Sequence, residues 1–460
     1  MSFLRTHSAR CLAALAIAFD VTAAGSLARA STSGQQTLTL AEAVSRALRE
    51  GSDARIAHLE TAQADAAAGE ARSIYWPQAS VSSEAGWSDQ QNATINAING
   101  QGELKRYPLS SLGSNAAWLS VYIDQVLFDL SRWHGVERTE LEREAAAVQE
   151  AQQRESVSYA VTERYVNLLR LQRLAALDEE RIREAEWLDR RAGTLLGAGR
   201  ALDADREQVS LALEDARVQA AQRQQEVDDA SAALSRLIGS ASEDPPLFEL
   251  VPDSIPAPTV SSDPVSDTAI GKAPELRILD LRRRREEASL EAARAERLPT
   301  LSMRGGYFHY GTKRFDSFES EFAVGVDLHV PVFSGFKTSN AIEGASVALE
   351  AARLRYDAMR DNKRAKLKDL ARQLAASQRQ PELAERRARL ADERLRLTDL
   401  ALDAQRGSLA DALSARTEAD RARRTSIDVS SDRVLLWANF EREAGTLAKA
   451  LVGEPSSETP

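Results

Sequence analysis

One unusual order of elements occurs twice in this chain, and that duplication constrains the fold more than any single motif. The order is helix, strand, loop, strand, then a very long helical run. The two copies align at an offset of 222 residues without a gap: Ala47 with Ala269, Arg55 with Arg277, Ile56 with Ile278, Leu59 with Leu281, Ala71-Arg72 with Ala293-Arg294 and Pro77 with Pro299. Further on, Asp205 and Gly239 match Asp411 and Gly445 at an offset of 206. A shorter loop in the second copy accounts for the change. A long internal repeat sets the architecture before any local signal is weighed.

The prolines mark the boundaries. None of the 14 falls between Pro108 and Pro245, and seven lie from Pro245 to Pro274 in a stretch rich in Ser and Asp. This divides the chain into a first repeat at 31–244, a linker at 245–268, a second repeat at 269–447 and a polar tail at 448–460. The proline-free stretch 135–238 is rich in Ala, Glu, Arg, Gln and Leu, all good helix formers. Apolar residues recur there every three or four positions: Val157, Val161, Tyr165 and Leu168, then Val209, Leu213, Ala216 and Ala220. Gly193, Gly197 and Gly199 interrupt the pattern. The expectation is two antiparallel helices of about 55 and 35 residues, roughly 80 and 50 Å long. The second repeat predicts helices at 339–403 and 411–445, turning around Gly407, with a kink or break at Pro381. Helices of this length suit a coiled-coil wall better than a globule.

Four segments between the helices alternate with period two. In 322–330, Phe322, Val324, Val326, Leu328 and Val330 face one way, and Ala323, Gly325, Asp327 and His329 the other. In 300–307, Leu301, Met303 and Tyr307 oppose Thr300, Ser302 and Arg304. In 119–124, Leu119, Val121 and Ile123 oppose Ser120, Tyr122 and Asp124. The fourth, 79–87, alternates less clearly. Strands with one apolar and one polar face are the pattern of a transmembrane barrel, with Arg304, Asp327 and His329 then facing its lumen. Four strands are too few to close a barrel and leave two free edges, which lipid does not tolerate, so other chains must complete it. The stretch 89–115 reads as a long surface loop and 311–319 as its shorter counterpart.

The N-terminus reads as an export signal. Arg5 and Arg10 precede a short apolar run at 11–19, and Ala28-Arg29-Ala30 is a small-x-small cleavage site, so the mature chain is expected to begin at Ser31. Three Arg and one Asp leave with residues 1–30, which takes the net charge from −10 to −12. An acidic chain argues against nucleic acid as a partner. The only cysteine, Cys11, lies in that segment, so the mature chain carries no disulfide, thiolate ligand or Cys nucleophile. The histidines His58, His134, His309 and His329 fall in different elements. No metal-ligand spacing, phosphate loop or nucleophile elbow occurs, so no metal, cofactor or enzymatic activity is expected.

Several short motifs, in their order, resemble the outer-membrane efflux protein family of TolC-like channels. Leu38-Thr-Leu-Ala-Glu-Ala43 resembles the family's opening, and Thr39 with Glu42 makes a capping box. Ala273-Pro-Glu-Leu276 resembles the opening of the second repeat. Tyr75-Trp-Pro77 and Arg297-Leu-Pro299 resemble entries from helix to strand. Gln125-Val-Leu-Phe-Asp129 and Val330-Pro-Val-Phe-Ser-Gly335 resemble exits from strand to helix. Gly199 followed by Asp205, and Gly407 followed by Asp411-Ala-Leu, resemble hairpin tips.

The resemblance implies a mixed α and β membrane protein: a homotrimer with a twelve-stranded outer-membrane β-barrel, four strands per chain, continuing into a long periplasmic α-helical barrel. It implies an exit duct that works with a periplasmic adaptor (membrane fusion) protein and an inner-membrane ABC or proton-driven transporter. The tips, Gly197, Gly199, Arg200, Gly407 and Ser408, would meet the adaptor. Asp205 and Asp411, with Asp203 as a near rival of Asp205, would line the periplasmic entrance, where threefold symmetry sets six carboxylates around one opening. The bland alternative is an Asp favouring the first turn of a helix dipole. The second tip departs from the family pattern at Ser414, where another Asp is common. Arg191, Arg200 and Arg406 read as solvated tip charges, with entrance ties as the other reading. The absence of a lipid-bearing cysteine leans the cargo toward type I protein secretion, a toxin included, over multidrug efflux. The rival from another class is a soluble periplasmic coiled-coil adaptor, which would lack lipid-facing strands.

Overall fold

The computed structural model describes residues 36–87, 94–98, 104–108, 115–239, 248–251, 270–271, 273–312, 317–404 and 406–453. The expected signal segment at 1–30 and most of the linker at 245–268 lie outside the described residues.

Strand β1 (Gln36–Leu38) leads into helices α1 (Leu40–Glu50) and α2 (Ser52–Arg72). The capping box forms as expected: Glu42 N donates to Thr39 Oγ1 at 3.2 Å, and Thr39 N donates to Glu42 Oε2 at 3.1 Å. The chain then enters β2 (Gln78–Trp87), passes β3 (Thr94–Ile98) and β4 (Leu104–Pro108), and returns in β5 (Asn115–Phe128). The stretch 89–115 is therefore more than a loop, because β3 and β4 pair antiparallel within it. Asp129 caps α3 (Leu130–Gly197) by accepting from Arg132 N at 3.0 Å.

Helix α3 has 68 residues, longer than the expected 55 or so. It runs straight through Gly193, which costs an uninterrupted helix only about 1 kcal/mol. The turn comes at Ala198-Gly199, where Gly199 takes φ +69°, a left-handed conformation that a Cβ disfavours. Helix α4 (Asp203–Leu237) returns alongside α3 and ends at Gly239, also at positive φ.

The second repeat follows the same plan. Helix α5 (Pro274–Ala295) leads into β7 (Thr300–Thr312) and β8 (Ser317–His329), then α6 (Lys337–Ala376), α7 (Gln380–Asp403) and α8 (Leu409–Ala444). The break near Pro381 is a 3-10 turn, Ser377–Arg379, after which Pro381 sits in the first turn of α7, where its missing N–H costs nothing. Gly445 closes α8 at φ +74°, as Gly239 closes the first hairpin.

Two stretches expected to be irregular are ordered. In the expected linker, β6 (Phe248–Leu250) pairs in parallel with β1. The Tyr165 hydroxyl clamps this pair from α3, lying 2.9 Å from Leu38 O and accepting from Val251 N at 3.1 Å. The expected tail at 448–460 begins as a short helix, α9 (Leu447–Val452), which buries Leu447 and Leu451. Glu155 of α3 accepts from Ala448 N at 3.2 Å at the start of α9. Burial raises the pKa of Glu155 against the bonds from the α9 N–H groups. These pieces surround the largest core, which joins Leu38, Ala43, Val161, Tyr165, Leu234, Phe248, Trp437 and Leu447. The apolar stripe on α3 sets this collar near the middle of that helix.

The main sheet runs β2-β5-β7-β8, antiparallel throughout. Its two outer strands, β2 and β8, open and close the set in sequence. No described helix is long and apolar enough to cross a membrane.

Candidate functional site: the strand faces and the hairpin tips

The register fixes what each face of the sheet carries. Val81, Val121, Tyr307 and Phe322 stand in one row across all four strands, and Met303 stands beside Val326. Phe322 is 73% exposed and Val326 63% exposed, so this apolar face has no cover among the described residues. The opposite face is polar. Asp124 stands across from Arg304, whose Nε donates to Asp124 Oδ1 at 2.5 Å. Asp327 stands opposite Ser302, and the Ser82 and Ser120 hydroxyls meet at 2.7 Å. Arg304, Asp327 and His329 all fall on this polar face, with Arg304 already paired.

At the other end of the molecule, both tips place an Asp as the third residue of the returning helix. Leu202 N donates to Asp205 Oδ2 at 3.1 Å, although Leu202 has no side-chain oxygen to complete the cap. Ser408 Oγ accepts from Asp411 N at 3.0 Å and donates to Asp411 Oδ2 at 2.6 Å. The matched aspartates thus take equivalent positions in the two repeats, and each helps to end its helix. Asp203 is the exposed first residue of α4. Gly407 sits in a tight turn: a Cβ there would come within 3.1 Å of Leu402 N.

The two tips are tied together by groups that lie far apart in sequence. Arg191 of α3 pairs with Asp403 of α7, Nη2 to Oδ1 at 3.2 Å. Of the three tip arginines, this one makes a bond between repeats. Arg416 of α8 pairs with Asp399 at 2.7 Å, and its guanidinium lies 5.0 Å from the ring centre of Trp187, a cation–π contact. Leu188, Ala192, Val209, Leu402, Leu409 and Ala412 pack beneath them as one core.

Further up, Asp178 of α3 is buried and binds Arg223 of α4 and Arg424 of α8, while Arg424 also holds Asp420. Arg423 reaches Glu180, Glu184 and Asp392. Burial raises the pKa of Glu184, with Arg423 opposing. The sequence offered no signal for these partners. Each lies on a helix with many charges, and only the packing of α3 against α8 selects which ones meet.

A four-stranded antiparallel sheet standing on a wall of paired helical hairpins is also the fold of solved outer-membrane channel structures. Residues 265–445, nearly the whole second repeat, match the family model described as outer membrane efflux protein. Solved structures with this fold include the outer membrane protein VceC of Vibrio cholerae, with a TM-score of 0.71 and 15% identity, covering 88% of this chain and 96% of that one. The CmeC outer membrane channel of Campylobacter jejuni gives 0.73 and 18%, covering 91% and 87%. The MtrE outer membrane channel of Neisseria gonorrhoeae gives 0.70 and 16%, covering 91% of each chain. No curated protein sequence is significantly similar to the chain. The CmeC and MtrE structures are of outer membrane channels.

Proposed function

We propose that three copies of this chain form an outer-membrane exit duct that extends into the periplasm and receives cargo from an inner-membrane transporter through a periplasmic adaptor. The observation that carries this reading is the sheet. Its four strands have two free edges, an uncovered apolar face and a polar face, which together suit one third of a closed barrel in lipid. The lumen is then lined by Arg304, Asp124, Asp327 and His329. The chain does no chemistry of its own, and energy comes from the transporter. Native electrophoresis of membranes tests the reading: a heat-sensitive trimer is expected, extracted only by detergent. A stable, soluble monomer in the membrane-free fraction would replace the barrel with a periplasmic adaptor.

Asp205 and Asp411 form the selective ring at the periplasmic entrance. In a trimer the two tips bring up to six carboxylates to one opening, and such a ring attracts cations and repels anions. Asp205→Asn combined with Asp411→Asn is expected to weaken cation preference and block by multivalent cations in planar bilayers. Each Asn keeps an oxygen for its helix end, and the dipole contribution at each site is only about 0.3–1 kcal/mol, so the trimer persists. Unchanged selectivity and block would move the gate elsewhere and leave both aspartates as helix-end residues alone. The adaptor meets Gly197, Gly199, Arg200, Gly407 and Ser408 at the tips.

The absence of cysteine beyond Cys11 favours an unacylated duct, and with it secreted protein over small molecules as cargo. A strain lacking the chain separates the two: loss of a secreted protein without drug sensitivity supports type I secretion, and the converse supports efflux.

A further inference from the structure

The polar face of the sheet carries an aromatic pair that is out of pattern there. Tyr122 of β5 and Phe308 of β7 meet edge to face, with ring centres 5.3 Å apart and ring planes at 78°. Both side chains are half-buried. The register sets them on the face of Asp124, Arg304 and Asp327, opposite the apolar row of Val121, Tyr307 and Phe322. The interior of a transmembrane barrel is ordinarily polar.

The floor around the rings is made of small residues. The row through Phe308 reads Ser82, Ser120, Phe308 and Glu321 across the four strands. The row through Tyr122 reads Ser80, Tyr122, Gly306 and Ala323. Glu321 is the only long polar side chain in either row. Gly306 makes room for the pair: a Cβ there would come within 2.9 Å of Phe308 Cε2 and Cζ, and within 3.5 Å of Tyr122 Cδ1. The Phe308 ring thus folds back over bare backbone and meets Tyr122 from there. Rings packed edge to face leave π faces that neither covers for the other.

The charges beside the rings are unequal. On one side Asp124 and Arg304 neutralise each other at 2.5 Å. On the other, Glu321 stands directly across from Phe308 and is exposed. It makes no hydrogen bond or ion pair among the described residues. Opposed side chains on antiparallel strands start from Cβ atoms about 4.5–5.5 Å apart, so this carboxylate reaches the ring pair. A ring face attracts cations through its quadrupole, so the rings and the carboxylate select the same sign of charge. A small hydrated metal ion gains little from such rings. A cation carried on an apolar body gains from both the rings and the carboxylate. Tyr122, Phe308 and Glu321 lie on three adjacent strands, two inter-strand spacings or about 10 Å, which is the width of one small molecule.

We infer that Tyr122, Phe308 and Glu321 form a luminal binding site for small organic cations with an aromatic or aliphatic body, one site in each copy of the chain. The inference rests on the duct reading, which makes this face the wall of a water-filled lumen, and deepens it by naming a class of small cargo that the wall holds. A ring pair that only braced β5 against β7 would bind nothing.

The test measures current through the full-length trimer in planar bilayers, with tetraphenylphosphonium as the probe. Phe308→Ser is expected to raise the concentration for half-block roughly tenfold. Glu321→Gln changes an exposed, unbonded side chain and is expected to raise it about threefold. Gly306→Ala keeps both rings but displaces Phe308, and is expected to weaken the block as well. Tyr122→Phe keeps the ring and the block. Hexamminecobalt, with three charges and no apolar body, is expected to block Phe308→Ser and wild type alike, which separates the rings from the carboxylates at the tips. If Phe308→Ser does not assemble, Glu321→Gln and Gly306→Ala carry the same comparison. A wild-type channel that tetraphenylphosphonium does not block, or equal block in wild type and these variants, overturns the site and leaves the duct intact. A wild-type chain that forms no conducting trimer overturns both.

Discussion

Val326→Arg is expected to abolish the membrane-assembled trimer, whereas Asp327→Arg at the next position leaves it in place. Val326 stands beside Met303 on the uncovered apolar face, while Asp327 stands opposite Ser302 on the polar face. An Arg on the lipid face near the bilayer centre costs roughly 2–4 kcal/mol, and the cost recurs in every copy of the ring. On the polar face the same side chain remains in water. Heat-modifiable trimer in outer-membrane fractions is the measurement. Equal assembly of the two variants would show that the faces are reversed or that both are wet.

The second large effect concerns a charge cluster where α5, α6 and α8 meet. Lys363 is 4% exposed and lies between Glu443 Oε2 at 2.8 Å and Glu275 Oε1 at 3.0 Å. Lys366 and Arg442 also bind Glu443, at 2.6 and 2.9 Å. Burial alone would raise the Glu443 pKa, but the bonds from Lys363 and Lys366 overrule it and hold the carboxyl at about 2. The folded pKa is below the unfolded one, so the stabilisation is full above the ordinary carboxylate value of 4.5. It is lost progressively as pH falls toward about 2. The shift corresponds to about 3 kcal/mol per chain.

Lys363→Met is expected to lower stability by about 3 kcal/mol at pH 7, because it strips a buried partner from two carboxylates. Glu443→Gln is expected to flatten the acid limb between pH 4.5 and 2. Thermal unfolding of the detergent-solubilised trimer across that range reads both effects. An acid limb of the same slope in Glu443→Gln and wild type would show that the cluster is not coupled to folding.

Much of the fold was legible because it is written in local periods. Alternation in 322–330 identifies β8 and its apolar face, since successive side chains on a strand point to opposite sides. The 222-residue offset pairs α2 with α5 and β2 with β7, and the tip glycines set where each hairpin turns. The local signals failed where a distant segment overruled them. Gly193 did not stop α3, because the helix packs on α4 and α8 on both sides of it. The linker residues Phe248 and Leu250 became a strand because β1 and the Tyr165 hydroxyl offered partners from another part of the chain. The tail residue Leu451 became helical because the collar core had room for it.

At the candidate site the division is sharper. The helix-start positions of Asp205 and Asp411 were legible from their glycines, and the structure shows each securing its own helix. Arg191–Asp403, Arg416–Asp399 and Asp178–Arg424 could not be found, because α3, α7 and α8 each carry many charges at helical spacing and no local rule chooses among them.

The sequence by itself determined the repeat, the apolar and polar faces of the strands and the existence of two long hairpins, since these depend on periods of two and about 3.6 within short stretches. Which strands and helices lie outermost was settled by tertiary packing alone. Order across a sheet or wall is set by packing between segments hundreds of residues apart. The same packing decided which of the many helix charges became buried pairs, because a charge goes without water only where a distant partner is brought within hydrogen-bonding reach.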